Sequence, residues 1–141
     1  MRVVIDSNIL FSALISPIGS PHRIYQAWRA KRFELVTCAI QIDEMRRASR
    51  YTRLRDVLMP QEVGRMINDL HAADNIDTLP PGHETDDPHD AWMLALAEAA
   101  LADYLVTGDK RAGLLSRKRF GRTRILTAAA FCRDALRERR P

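Results

Sequence analysis

Short apolar runs alternate along the chain with amphipathic stretches, and the period of that alternation assigns most of the elements. Val3-Val4-Ile5 is a β-branched run suited to a strand buried on both faces. Residues 21–32 carry Ile24, Ala27 and Trp28 at helical spacing. Residues 34–38 read as a second strand and 39–50 as a helix. Residues 60–73 set Val63, Met66, Ile67 and Leu70 on one helical face, with Pro60 well placed at the start. Residues 75–79 predict a third strand, ended by Pro80-Pro81-Gly82. Residues 90–101 are apolar almost all round, the mark of a helix inside a core. Tyr104-Leu105-Val106 is the next strand, followed by Thr107-Gly108-Asp109; residues 124–126 form a last strand and 127–137 a closing helix. The arginine-rich residues 46–55 fit a helix, a loop or a mobile element over a cleft. Strands alternating with helices predict an α/β fold, a mostly parallel sheet flanked by crossover helices.

A chain of 141 residues is the size of one domain, so a single domain over residues 1–141 is expected. With 46% hydrophobic and 28% charged residues it reads as a globular protein able to build its own core. No run approaches the roughly 18 apolar residues of a membrane span. The opening Met1 to Asp6 is charged too early for a secretory signal, so a cytoplasmic location is expected. Cys38 and Cys132 lie beside apolar residues and in no C-x-x-C pair, which predicts small buried hydrophobes.

The informative feature is where the acids fall. Asp6 directly follows the first strand, and Asp109 follows the strand at 104–106 after a Thr-Gly turn. Acids at the carboxyl ends of parallel strands point into the crevice where such sheets bind ligands. Asp90 opens the most apolar helix, and Glu44 shares a helical stripe with Ile40 and Ala48 that would carry it inward. Converging carboxylates repel and raise one another's pKa, a cost that a hard divalent cation removes. Magnesium or manganese prefers such oxygen ligands, and can activate water and steady charge on a phosphoryl group. Each acid also has a plainer reading. Asp6 and Asp109 could each simply cap a helix, and Asp87 with Pro88 is a favourable helix start. For Asp87 the cap is preferred; for Asp90, the metal.

Other chemistries lack support. His83 and His89 flank the acidic residues 84–90, but their spacing matches no zinc pattern and no thiolate joins them. There is no phosphate-cradling glycine loop and no G-x-S-x-G elbow. The formal charge is +4, and Lys110, Arg111, Arg117, Lys118, Arg119, Arg122 and Arg124 form a run without an acid. It reads as a solvated face or as a phosphate-facing rim. Because the run begins directly after Asp109, the rim is the preferred reading. A phospho-acceptor receiver domain would need paired acids after the first strand, where this chain has Asp6-Ser7-Asn8.

Together these segments resemble the PIN-domain family, in particular its small toxins of toxin–antitoxin pairs. Val4-Ile5-Asp6-Ser7-Asn8-Ile9-Leu10 resembles its strand-D-[ST]-N opening, and Asp43-Glu44-Met45 its second acidic motif. Asp87-Pro88-His89-Asp90 resembles its D-P-x-D helix start, and residues 104–110 its fourth motif. Residues 125–131 resemble its closing strand and helix, with Ala128 and Ala130 in place of the usual proline and acid, which weakens the capping there. The resemblance implies a Rossmann-like fold, a magnesium or manganese site, and endonucleolytic cleavage of RNA. Asp6, Glu44, Asp90 and Asp109 would be the catalytic acids, with Asp6, Asp90 and Asp109 on the metal. Ser7, Asn8, Asp87 and Thr107 would support them, and Lys110, Arg111, Arg117, Lys118 and Arg119 would meet nucleic acid. A homodimer and a silencing antitoxin are the partners it implies. The alternatives on the same fold are a DNA-directed or structure-specific nuclease and a non-catalytic nucleic-acid-binding regulator.

Overall fold

A computed structural model describes residues 1–80, 88–108 and 113–137, with the backbone alone at 88 and 89. In chain order the elements are β1 (Arg2–Ile5), α1 (Ser7–Ile15), α2 (Ser20–Arg29), β2 (Glu34–Thr37), α3 (Ala39–Ala48), α4 (Thr52–Arg55) and α5 (Pro60–Ala72). Then follow β3 (Asp74–Asn75), α6 (Pro88–Ala100), β4 (Tyr104–Val106), α7 (Leu114–Arg117), β5 (Arg119–Phe120), β6 (Thr123–Leu126) and α8 (Ala128–Asp134). The six strands form one sheet in the order β3-β2-β1-β4-β6-β5. All neighbours pair in parallel except β5, which folds back antiparallel on β6. This is the α/β architecture that the alternation predicts.

The sheet separates two apolar layers, which is why Val3, Val4 and Ile5 of the central strand β1 are apolar in succession. Val3 and Ile5 face the layer that packs α1, α2, α5 and α8 through residues such as Leu10, Ile24, Leu70 and Phe131. Val4, Leu105 and Ile125 face the layer that packs α6 through Met93, Leu94, Leu96 and Ala97. Val3, Val4 and Ile5 are fully buried, and each such side chain contributes about 1.5–3 kcal/mol by leaving water.

Element ends differ from the sequence reading for identifiable reasons. The helix expected over 21–32 closes at Arg29, because Lys31 turns left-handed (φ 59°). Lys31 N then bonds Trp28 O at 2.9 Å and Arg32 N bonds Ala27 O at 3.0 Å, a Schellman stop. Leu101 (φ 51°) ends α6 in the same way, with Ala102 N on Ala97 O at 2.9 Å. The strand expected over 75–79 shrinks to Asp74–Asn75. There the Asn75 amide turns back to donate to Leu70 O and Ala73 O, both at 3.0 Å, and so caps α5. Residues 46–55 complete α3 and form the short α4. The strand expected at 124–126 is β6, whereas β5, which folds back on it, has no counterpart in the sequence reading. At α8, Thr127 supplies the cap, its side chain accepting from Ala130 N at 3.1 Å.

The amino edge of the sheet is closed by ion pairs. Arg2 donates through Nε to Ala100 O at 2.8 Å and pairs through Nη1 with Asp74 (2.7 Å) and Glu34 (3.2 Å). The Asp103 carboxylate accepts from Arg2 N and from Arg122 Nη2, both at 2.8 Å. The Arg2 backbone N–H holds the Asp103 carboxyl below its ordinary pKa against the opposing effect of burial, and the Arg122 guanidinium adds to the lowering. A carboxyl depressed in the fold adds stability above its unfolded pKa, and that stability is lost as pH falls through the folded value. Asp103→Asn is therefore expected to cost about 1 kcal/mol at neutral pH, allowing for solvent screening. It is also expected to flatten the decline in stability below about pH 4. Urea unfolding of both proteins from pH 7 to pH 2 checks both effects.

Candidate active site

Asp6 is the first residue beyond β1, and the register of the sheet decides what surrounds it. Ile5 pairs with Val106, so the chain leaves β1 and β4 side by side. Asp6 N donates to Val106 O at 2.9 Å, and the Thr107 hydroxyl donates to Asp6 Oδ2 at 2.8 Å. Asp6 Oδ1 accepts from Asn8 N at 3.1 Å, so the residue also caps α1. The capping and functional readings of Asp6 therefore coexist. A carboxylate accepts hydrogen bonds on both oxygens, and these two bonds, one to each oxygen, orient it. Asp6 is 1% exposed and Thr107 fully buried.

Asp90 reaches the same edge by helix length. The end of α6 is fixed at the amino edge by the Arg2–Ala100 bond, and the helix packs on β1, β2 and β4. Asp90 precedes Ala100 by ten residues, which is about 15 Å of helix. Asp6 follows Arg2 by four residues, about 13 Å of strand. The two acids thus stand at similar height above the amino edge. Asp90 is fully buried in the first turn of α6, where the helix dipole favours an anion.

Glu44 is placed differently from the expected stripe. Its stripe-mates Ile40 and Ala48 are exposed and half-buried, whereas α3 buries Gln41, Ile42 and Met45. Glu44 is half-buried at the border of that inward face. The rotation follows from Gln41, which hydrogen-bonds to β1 and so must face the sheet. Its Nε2 donates to Ile5 O (2.6 Å) and Ser7 Oγ (3.3 Å), and its Oε1 accepts from Thr37 Oγ1 (2.6 Å). Sequence reasoning missed Gln41 and Thr37. The available signal was an amide within the first turn of a helix, four residues after a threonine at a strand end.

The remaining candidates divide. Ser7 is buried, and Asn8, exposed, contributes its backbone N–H. Asp87, Asp109, Lys110 and Arg111 lie outside the described residues, as do His83 and the side chain of His89. Arg117, Lys118 and Arg119 are exposed. Arg122 and Arg124 belong instead to the amino edge: Arg122 pairs with Asp103, and Arg124 lies 6.0 Å from the Tyr104 ring. Both cysteines are buried, as expected, and burial pushes each thiol above its ordinary pKa. The nearby Glu44 carboxylate adds to that effect at Cys38. Neither is an activated thiolate.

The donor chemistry fits a hard divalent cation. Asp6 and Asp90 are buried carboxylates, with the threonine and serine hydroxyls of Thr107 and Ser7 beside Asp6 and no thiolate on offer. Among the described residues no three acidic, histidine or cysteine side chains gather into a ligand group.

A mostly parallel sheet with a buried acid at its carboxyl edge marks an α/β protein, and such folds bind their ligands at that edge. A family model described as PIN domain matches residues 2–111, and the chain belongs to that family. No curated protein matches the chain. Membership points to nuclease chemistry on a nucleic acid, with divalent metal use general in the family. Among the described residues no helix is long and apolar enough to cross a membrane.

Removing the Thr107 hydroxyl tests how Asp6 is held. Thr107→Val keeps the shape but takes a donor from a buried carboxylate, and is expected to lower stability by about 1.5–3 kcal/mol. Thr107→Ser should retain most of it. Denaturant unfolding of the pair measures the difference.

Proposed function

We propose that the chain is a magnesium- or manganese-dependent endoribonuclease, the toxin of a toxin–antitoxin pair, built as one PIN domain over residues 1–141. The observation that carries this reading is the pair of buried carboxylates, Asp6 and Asp90, at one edge of a parallel sheet in a PIN-family chain. Pairing of β6 with β4 beyond the matched residues supports the single domain.

In this reading Asp6 and Asp109 bind the ion directly and Asp90 completes its site. The ion supplies positive charge to the phosphoryl oxygens and acidifies water. Glu44, on the border of α3, orients the attacking water. Thr107 and the Asn8 N–H hold the Asp6 carboxylate, Ser7 lines the turn, and Asp87 caps the helix that carries Asp90. Lys110, Arg111, Arg117, Lys118 and Arg119 meet the phosphate backbone, and the +4 charge favours such a polyanion. Ile15, Val57 and Met59 are exposed along a groove of about 450 Å³ that Arg29, Glu62 and Arg65 also line, a mixed surface suited to the antitoxin or a second copy. The same reading puts the protein in the cytoplasm with its RNA.

The test is cleavage of single-stranded RNA, single-stranded DNA and flap DNA, with and without added manganese. The native chain is expected to cut RNA in a manganese-dependent way, and Asp6→Asn with Asp109→Asn to lose at least about a hundredfold. Undiminished cleavage by the double variant would overturn the metal-acid reading; cleavage of DNA alone would overturn the RNA assignment.

A further inference from the structure

Gln41 is a fully buried amide in the first turn of α3, between the apolar residues that pack this helix on the sheet. Burying an unpartnered amide costs several kcal/mol, so its bonds must be made. The Ile5 carbonyl can only accept, which obliges Gln41 Nε2 to face it at 2.6 Å. Oε1 then faces the Thr37 hydroxyl, also at 2.6 Å, and Nε2 reaches Ser7 Oγ at 3.3 Å. Chemistry alone thus fixes the orientation of the amide. Because Ser7 Oγ accepts from Gln41, its own hydrogen is directed to an acceptor other than that amide.

Ile5 and Ser7 are the two residues that flank Asp6. One side chain therefore holds the Ile5 carbonyl on one side of the buried acid and the Ser7 hydroxyl on the other, from a helix that carries Glu44 three residues later. On the opposite side Asp6 is held by Val106 O and Thr107 Oγ1. An apolar side chain of the same size would fill this space without needing partners. A fully satisfied buried network has a different effect: it admits one geometry.

We infer that Gln41, oriented by Thr37, is a positioning residue for the acid site. It fixes the Asp6 turn against the helix that bears Glu44 and so presets the carboxylates for a divalent ion. The inference rests on the proposed reading that these acids bind such an ion. Gln41 touches neither ion nor substrate; it acts through Ile5, Ser7 and Asp6.

The experiment is calorimetric titration of the metal-free full chain with manganese, with the Mn2+ electron paramagnetic resonance spectrum and a thermal melt for each variant. Gln41→Leu is expected to weaken manganese binding by about 10- to 100-fold and to broaden the spectrum, as losses of ligand-supporting bonds do. Thr37→Val should weaken binding in the same direction, and Thr37→Ser, which keeps the hydroxyl, should restore it. Native affinity and spectrum in a folded Gln41→Leu would overturn the inference while leaving the metal reading intact. If Gln41→Leu does not fold, the Thr37 pair decides, and equal affinity in Thr37→Val and Thr37→Ser overturns the inference. Absence of manganese binding by the native chain would instead remove the metal reading, and the inference with it.

Discussion

Asp6 carries a carboxylate into the seam between β1 and β4, where it is 1% exposed, and the arrangement of the carboxyl edge depends on that burial. An ion moved out of water must be compensated locally. The compensation here comes from the turn itself: Asn8 N on Oδ1, Thr107 Oγ1 on Oδ2, and the Asp6 N–H tied to Val106 O. The bonds to Thr107 and Val106 exist only while β1 and β4 stay in register, Ile5 beside Val106, whereas the bond from Asn8 N is local to the start of α1. Sheet register and acid geometry are therefore one constraint. Asp90 reaches the same edge through a second one, the length of α6 measured from its anchor on Arg2.

The two edges of the sheet use charge in opposite ways. At the amino edge, acids and bases meet in pairs: Arg2 with Asp74 and Glu34, Arg122 with Asp103. Those contacts hold strand ends together. At the carboxyl edge, Asp6 and Asp90 are buried carboxylates with hydroxyl or amide partners beside Asp6. A continuous basic run in the sequence is thereby split. Arg122 and Arg124 serve the amino edge, while Arg117 and Lys118 precede the β5–β6 hairpin and are exposed. Charge counted along the chain overstated how much of it belongs to one surface.

Much of the fold was legible because its signals are local. Val3-Val4-Ile5 is β-branched and buried on both faces, and residues 92–97 of α6 are apolar in succession and all buried. The strand expected at 75–79 is only Asp74–Asn75 in the fold, and the Asn75 side chain there caps α5. The position of Asp6 and Asp90 followed from strand and helix ends. The orientation of α3 did not: the Ile40-Glu44-Ala48 stripe suggested the inward face, whereas Gln41 sets it through bonds to residues far away in the sequence. Ile42 and Met45, buried beside Gln41, are the apolar residues that mark the face α3 turns inward. Asp109, the fourth acid of the resemblance, lies outside the described residues.

The most direct test of a cation site at this edge is the shift in melting temperature on adding manganese. A ligand bound only by the folded chain stabilises it by about 2.7 kcal/mol at a hundredfold excess over its Kd. The native chain and Glu34→Gln, an acid changed at the opposite edge, should gain equally, while Asp6→Asn and Asp90→Asn should gain little or nothing. An equal gain in Asp90→Asn and Glu34→Gln, or none in the native chain, would contradict the account.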